Sequence, residues 1–186
     1  MLSAYVLCLA LNAVHGPQGL NNLSEERIQF ACNNMDAVLE AAYENKINPF
    51  NFAGLIFVES RWAPKAVSRS GACGLTQVLP KYVKYSCKEL KDPETSIKVG
   101  ATSLNRWITK RKKKNEKIAL ACYNAGNKCE KSKKGNRYSY AVRKLGRKYS
   151  RWVKQNPMIR IDQQQFKNID CIYTANSEPD TINYCY

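Results

Sequence analysis

A glutamate, Glu59, ends a strongly apolar stretch of the sequence and is the first candidate for chemistry. On a helix it shares a face with Phe52, Leu55 and Ile56, which precede it by seven, four and three residues. A carboxyl group among such side chains is partly desolvated, which raises its pKa and keeps a proton on it near neutral pH. The sequence therefore predicts a general acid suited to cleaving a glycosidic bond. A solvated helix-end glutamate is the ordinary alternative, so the neighbouring residues decide the matter.

Other kinds of catalytic chemistry find little support in the sequence. A single histidine, His15, excludes a three-histidine zinc site and argues against a Ser-His-Asp triad. The eight cysteines include no pair with C-x-x-C spacing, so no zinc-site pattern is present. We therefore expect no metal ion and no organic cofactor. This many cysteines is typical of a protein from an oxidising compartment, and the sequence alone leaves their pairing open.

The first sixteen residues have features of a secretory signal peptide. An apolar run too short to span a bilayer is followed by small residues at Ala10, Ala13 and Gly16. No Lys or Arg precedes the run, so a first helix of the folded domain is the alternative. We predict residues 1–16 as a signal peptide and a secreted or periplasmic location. Cleavage there would remove Cys8 and leave seven cysteines.

Positive charge is concentrated in one quarter of the chain. The formal net charge is +15, from 30 Lys and Arg against 15 Asp and Glu, and the whole excess lies between Lys110 and Lys154. Such a segment predicts a surface for a polyanion, either nucleic acid, an anionic membrane or an acidic cell-wall polymer. Tyr138, Tyr149 and Trp152 interleave with these charges but fall on an apolar helical stripe, so we expect them to be buried and expect no nucleic-acid partner.

Helical periodicity and capping signals organise the remaining chain. They predict helices over residues 21–46, from Asn51 through the apolar run, from Asp92-Pro93 to about Lys110, from Asn115 to about Asn124, and from about Arg137 to Pro157. No segment alternates between apolar and polar residues as a strand does. We predict one mostly α-helical domain over residues 17–156. A short tail over 157–186 carries Cys171 and Cys185.

Three ordered motifs surround the candidate acid. Glu59-Ser60 is followed by Pro64-x-Ala-x-Ser68 and Gly71-Ala-x-Gly-Leu-x-Gln77, then by Tyr123-Asn124-Ala-Gly, and finally by Tyr140 in the last helix. Their order and spacing over roughly residues 30–155 resemble the lytic transglycosylases of the soluble (SLT) type. In this sequence Thr76 stands where that family commonly has Met, and Cys73 and Cys122 lie inside the motifs.

The resemblance implies a fold, a reaction and a set of site residues. The fold would be lysozyme-like and the substrate the glycan strands of peptidoglycan, cleaved at the β-1,4 bond between N-acetylmuramic acid and N-acetylglucosamine. Glu59 would act alone as acid and base and leave a 1,6-anhydro-muramic product. Substrate-binding roles would fall to Ser68, Gln77, Tyr123, Asn124 and Tyr140. From Ser60 to Lys88 there is no acidic residue, which agrees with a single catalytic carboxylate.

Several alternatives stay open. A hydrolytic muramidase of the goose-lysozyme kind, or an inactive cationic protein that binds cell wall or nucleic acid, could have the same fold. Ser68 could be an ordinary loop residue, and Tyr123 could be a core residue beside a helix end. Tyr138 is interpreted as core. We expect a monomer, with anionic wall polymers as further partners of the basic segment, and a bacterial or bacteriophage setting is equally open.

Overall fold

The structure is a computed structural model, and it describes residues 2–16, 23–110 and 115–157. These residues form helices and loops without a β-strand. Seven α-helices follow one another: α1 (Ala4–His15), α2 (Glu25–Asn33), α3 (Met35–Glu44), α4 (Pro49–Ser60), α5 (Pro93–Lys110), α6 (Glu116–Ala125) and α7 (Lys133–Gln155). Short 3-10 turns occupy Pro80–Tyr82 and Glu89–Lys91 between α4 and α5, and Gly126–Lys131 between α6 and α7.

Side-chain caps fix where several of these helices begin. The Asn48 side chain accepts a hydrogen bond from the Asn51 amide, and Pro49 fills the first turn of α4. Asn115 caps α6 in the same manner, and the Asp92 carboxylate accepts a hydrogen bond from the Thr95 amide at the start of α5. The predicted starts of α5 and α6 are therefore confirmed by the hydrogen bonds that those residues can make.

Two helix boundaries differ from the prediction. The helix expected over 21–46 is divided at Asn34, whose amide bonds back to the Ala31 and Cys32 carbonyls and whose side chain donates to the Phe30 carbonyl. A side chain that competes for backbone groups in this way ends a helix locally. The last helix begins at Lys133, earlier than the predicted Arg137, because the Ser132 hydroxyl caps its first turn.

Helix α4 lies in the middle of the core and packs on α7. Its residues from Phe52 to Phe57 are buried on all sides, as the apolar sequence predicted. Gly54 allows the two helices to approach closely, since a Cβ there would lie 2.9 Å from the Val142 carbonyl oxygen. One hydrophobic core joins side chains from all seven helices, which confirms a single, mostly α-helical domain.

The segment predicted as the core of a signal peptide forms α1 and packs into this domain. Its inner face is buried against α7, and the ring of His15 stacks on Phe57 of α4 with centroids 3.8 Å apart. His15 Nε2 lies 2.6 Å from the Tyr149 hydroxyl. This arrangement corresponds to the alternative interpretation, a first helix of the folded domain. Removal of residues 1–16 stays a prediction.

Three disulfides tie the described elements together. They join α1 to α2, the two ends of a loop before α5, and α6 to the turn after it, as Cys8–Cys32, Cys73–Cys87 and Cys122–Cys129. Cys73 and Cys122 therefore each have a partner other than one another. The predicted tail with Cys171 and Cys185 falls outside the described residues, apart from Pro157. In the part of the chain that the structure describes, no helix combines the length and apolar character needed to cross a bilayer.

Candidate active site

The candidate acid lies where α4 ends against α7. Glu59 is the penultimate residue of the helix, and Arg61 ends it in a left-handed conformation with φ of 50°. The Tyr138 hydroxyl of α7 donates a hydrogen bond to Glu59 Oε1, with the two oxygens 2.6 Å apart. Helices α4 and α7 thus meet in a direct contact between a carboxyl group and a phenol.

Burial dominates the protonation of this carboxyl group. Desolvation raises the pKa of Glu59 to about 7, against the lowering effects of the Tyr138 hydrogen bond and the positive charge of Lys134. The predicted direction of the shift is therefore confirmed. Near neutral pH a substantial fraction of Glu59 carries a proton, as a general acid requires.

Tyr138 and Tyr140 of α7 differ in their surroundings. Tyr140, predicted to face the cleft, is 58% exposed, and its ring centroid lies 5.9 Å from the Arg147 guanidinium carbon. Tyr138, interpreted as core, is the residue that reaches Glu59. Its ring lies on the buried stripe of α7, as predicted, and its hydroxyl contacts Glu59 at the end of α4. Burial and the charge of Glu59 raise the pKa of Tyr138, so it stays a hydrogen-bond donor.

The Tyr123-Asn124 motif places two polar groups beside the acid. The Tyr123 hydroxyl donates to the Thr76 carbonyl oxygen over 2.8 Å, and burial followed by the charge of Glu59 raises the pKa of this phenol. Tyr123 therefore fixes α6 to the loop that carries Gln77. The Asn124 Oδ1 atom is buried and accepts no hydrogen bond from the described residues, although other atoms of Asn124 line the cleft beside α5.

The Gln77 side chain is already engaged by its own loop. Its amide nitrogen donates to the Ala66 and Gly74 carbonyl oxygens over 3.1 and 2.9 Å, which uses both hydrogens. Gln77 lines the cleft, so its amide oxygen is the atom left to accept a bond from a substrate. Ser68 instead closes a turn, since its hydroxyl accepts from the Ala72 amide and contacts the Ser70 hydroxyl. That contact fits the loop-residue interpretation.

Thr76, the residue that departs from the family pattern, fastens this loop to α5. Its hydroxyl donates to the Ser96 carbonyl oxygen over 2.8 Å, and its amide donates to the Ser96 hydroxyl. Gly100, one turn further along α5, leaves room for the threonine, because a Cβ at that position would overlap it. Gly74 has a φ of +77° and passes the Leu90 carbonyl closely, which only glycine permits. The loop that carries Gln77 is therefore fixed to α5 at Thr76 and packed against the Leu90 carbonyl at Gly74.

An open cleft of about 680 Å³ is lined by Gln77, Tyr123 and Asn124, and Glu59 is not among its lining residues. Tyr123 connects the cleft to the acid, since the charge of Glu59 acts on its phenol. The far wall of the cleft is the last part of α5, where Arg106, Trp107 and Lys110 line it. Sequence analysis did not identify these α5 residues, because a helix repeat shows which face is apolar but not which polar face borders a cleft. No group of three His, Cys, Asp or Glu side chains among the described residues could hold a metal ion.

Known proteins are similar to this chain in fold and, over part of its length, in sequence. The X-ray structure of an inactive mutant of the lytic transglycosylase Slt from Pseudomonas aeruginosa superposes with a TM-score of 0.61 at 19% identity, over 74% of this chain and 26% of that one. This likeness concerns the fold, and it shows that the helical domain has the same fold as the matched part of that structure.

Sequence comparison gives the family. Residues 36–145, more than half of the chain, match the family described as Transglycosylase SLT domain. Membrane-bound lytic murein transglycosylase F of Photobacterium profundum is 37% identical over 90 residues, which are 45% of this chain and 18% of that protein. Soluble lytic murein transglycosylase of Escherichia coli K12 is 35% identical over 79 residues, or 37% of this chain and 12% of that protein. The chain belongs to the SLT transglycosylase family, and its matches span less than a fifth of these two curated relatives.

Proposed function

We propose that this protein is a peptidoglycan lytic transglycosylase that cleaves the β-1,4 bond between N-acetylmuramic acid and N-acetylglucosamine. The observation that carries the proposal is the buried carboxyl of Glu59, with a pKa raised to about 7 and a hydrogen bond from Tyr138. Family membership and the adjoining cleft support the same conclusion. The proposed substrate is a glycan strand seated along Gln77, Tyr123 and Asn124.

The proposed reaction uses Glu59 twice. As an acid it gives its proton to the glycosidic oxygen while the bond from that oxygen to C1 of the muramic residue breaks. As a carboxylate it then takes the proton of the muramic C6 hydroxyl, whose oxygen bonds to C1 and closes the 1,6-anhydro ring. No water is consumed, and Glu59 ends in its starting protonation state. Tyr138 acts as a positioning residue, since its hydroxyl orients the carboxyl and stabilises the carboxylate between the two steps.

The surroundings of Glu59 support a mechanism with one carboxylate. Two-carboxylate glycosidases place their carboxyl groups about 5–10 Å apart. Glu116, a half-buried carboxyl on α6, is bound by Asn51, and eight residues of helix separate Asn51 from Glu59, or roughly 12 Å along the axis. The charged side chain that acts on Glu59 is Lys134, a cation. These contacts support a single catalytic carboxylate, and the released product separates the anhydro reaction from hydrolysis by a goose-type muramidase.

The exposed side of α7 is proposed as a surface for anionic wall polymers. The α7 cationic face consists of exposed residues spaced three, four or seven apart, namely Lys133, Arg137, Lys144, Arg147, Arg151 and Lys154. No acidic residue occurs anywhere in α7 to offset these charges. We propose that this face binds phosphate- or carboxylate-bearing wall polymers, that nucleic acid is not its partner, and that the protein acts as a monomer in the cell-wall space, secreted or periplasmic.

Replacing the acid tests the proposed function. We expect Glu59→Gln to lower the release of soluble fragments from purified peptidoglycan by about 100- to 10,000-fold, the usual contribution of a general acid or base. Glu44→Gln on α3 is the matched control, since it makes the same change at an exposed position and should retain full activity. Unchanged release by Glu59→Gln would refute the mechanism, whereas no release by the wild-type protein would favour the inactive binding protein.

A further inference from the structure

A second groove opens from the cleft on the side away from α6. It encloses about 620 Å³ between α5 and the loop over residues 81–85. Four residues line both spaces: Tyr82, Val83, Ser103 and Arg106. The groove is therefore a branch of the cleft and not a separate cavity, and a ligand in the cleft could extend into it.

The lining of this branch is cationic. Lys81, Lys84, Lys98 and Arg106 line it, and none of its lining residues is a carboxylate. Lys98 is paired with the exposed Glu94 over 2.6 Å, which leaves Lys81, Lys84 and Arg106 as the main source of positive potential. A concave surface lined by positive charges attracts an anionic ligand more strongly than a flat surface with the same charges does.

The wall of the branch also presents two hydroxyl groups to a ligand, and an aromatic ring on a loop that a disulfide holds in place. Tyr82 is 68% exposed at the junction with the cleft, and Lys81 lies 5.0 Å from its ring centroid. Thr102 and Ser103 add hydroxyls from α5. The Cys73–Cys87 disulfide joins this loop to the one that carries Gln77, so both loops are held in one arrangement.

We propose that this branch binds the carboxylates of the peptides attached to the muramic residues of the substrate. The proposal rests on the proposed function, because a glycan strand in the cleft carries such a peptide on the lactyl group of each unmodified muramic ring. The peptide leaves the sugar beside Tyr82 and follows the α5 side of the branch. Its carboxylates meet Arg106 first and then Lys81 and Lys84.

A comparison of two substrates tests this assignment. The wild-type protein and the double variant Lys81→Gln/Lys84→Gln, whose two lysines line the branch and not the cleft, are assayed for kcat/KM on peptidoglycan with its peptides and on the same glycan after an amidase has removed them. We expect the double variant to lose about threefold to fivefold on the peptide-bearing glycan, the range for exposed ion pairs, and nothing on the bare glycan. The loss should shrink at high salt, since these charges are exposed.

A matched variant separates the groove from general loss of charge. Lys46→Gln/Lys88→Gln removes two exposed lysines that do not line the branch, and it should act equally on both substrates. Equal rates of all variants on both substrates, or equal losses on both, would overturn the assignment while leaving the transglycosylase intact. If wild-type protein releases nothing from either glycan, the proposed function fails and this inference fails with it.

Discussion

The buried centre around Glu59 and the exposed cations around it use electrostatics in opposite ways. At the centre, one carboxyl is removed from water, and burial raises its pKa to about 7 although a phenol and a lysine act against the shift. On the α7 cationic face and in the branch of the cleft beside α5, the charges are exposed, and each interaction is screened by water and salt. In the proposed function, one group performs the chemistry, whereas many weakly interacting groups together determine where the protein binds.

The difference follows from what each region packs against. Glu59 ends a helix that is buried on all sides, so the protein interior supplies its environment. The charged residues on the outward face of α7 are exposed among the residues that the structure describes. Single substitutions should therefore have large effects at the centre and small ones on the cationic surfaces.

The largest expected effect is the loss of activity at high pH. Because the reaction begins with protonated Glu59, kcat/KM should be constant at low pH and fall about tenfold per pH unit above a pH of about 7. The carboxylate needed for the second step forms during the first, so no acidic limb from a second carboxylate is expected. A pH profile measured on soluble glycan fragments checks this. A bell-shaped profile with an acidic limb near pH 4 to 5 would indicate a second carboxylate instead.

A smaller effect is expected from removing the phenol that holds the acid. Tyr138→Phe keeps the buried ring but deletes the hydrogen bond, and we expect kcat/KM to fall about tenfold, in line with a hydrogen bond to a charged group. The same bond lowers the pKa of Glu59, so its loss should move the alkaline limb to higher pH.

Tyr140→Phe is the matched control for this tyrosine. Tyr140 is exposed on the same helix, and its substitution should leave both the rate and the limb unchanged. If the two variants behave alike, or if Tyr138→Phe lowers the rate without moving the limb, Tyr138 is a packing residue and not a positioning residue.

The smallest effect is expected on the α7 cationic face. In the inactive Glu59→Gln background, Lys144→Gln/Arg151→Gln should weaken binding to wall fragments that carry anionic polymers by about threefold to tenfold at low salt. Binding to peptidoglycan stripped of those polymers should not change. A sedimentation assay at two salt concentrations measures binding to the polymer-bearing wall and to the stripped peptidoglycan. Equal binding of the variant and its parent to the polymer-bearing wall would show that this face does not bind the polymers.

Much of the helical fold could be predicted because its signals are local. Asp92-Pro93 and Asn115 cap helices by hydrogen bonds to residues two or three positions away, and the apolar run from Phe52 marks α4 as buried. The division at Asn34 escaped prediction because apolar periodicity continues across it. The packing of α1 against α7 depends on contacts more than a hundred residues apart, so the signal-like composition of residues 1–16 was the stronger local signal.

The sequence motifs predicted only part of the candidate site. Glu59, Tyr123 and Asn124 follow from ordered motifs, and Glu59 has the raised pKa that its apolar neighbours indicated. The choice of Tyr140 over Tyr138 assumed that a residue on the buried stripe belongs to the core. Tyr138 does lie in the core, but its hydroxyl also reaches Glu59, because α4 ends against the buried stripe of α7.

The central claim is that Glu59 closes a ring without using water, and the mass of the released fragments tests it most directly. Purified peptidoglycan is treated with the protein, with Glu59→Gln alongside, and the soluble fragments are analysed by mass spectrometry. We predict muropeptides that end in 1,6-anhydro-muramic acid, one water lighter than the reducing sugar, from the wild-type protein alone. Fragments with reducing ends would contradict the claim and assign the protein as a hydrolase.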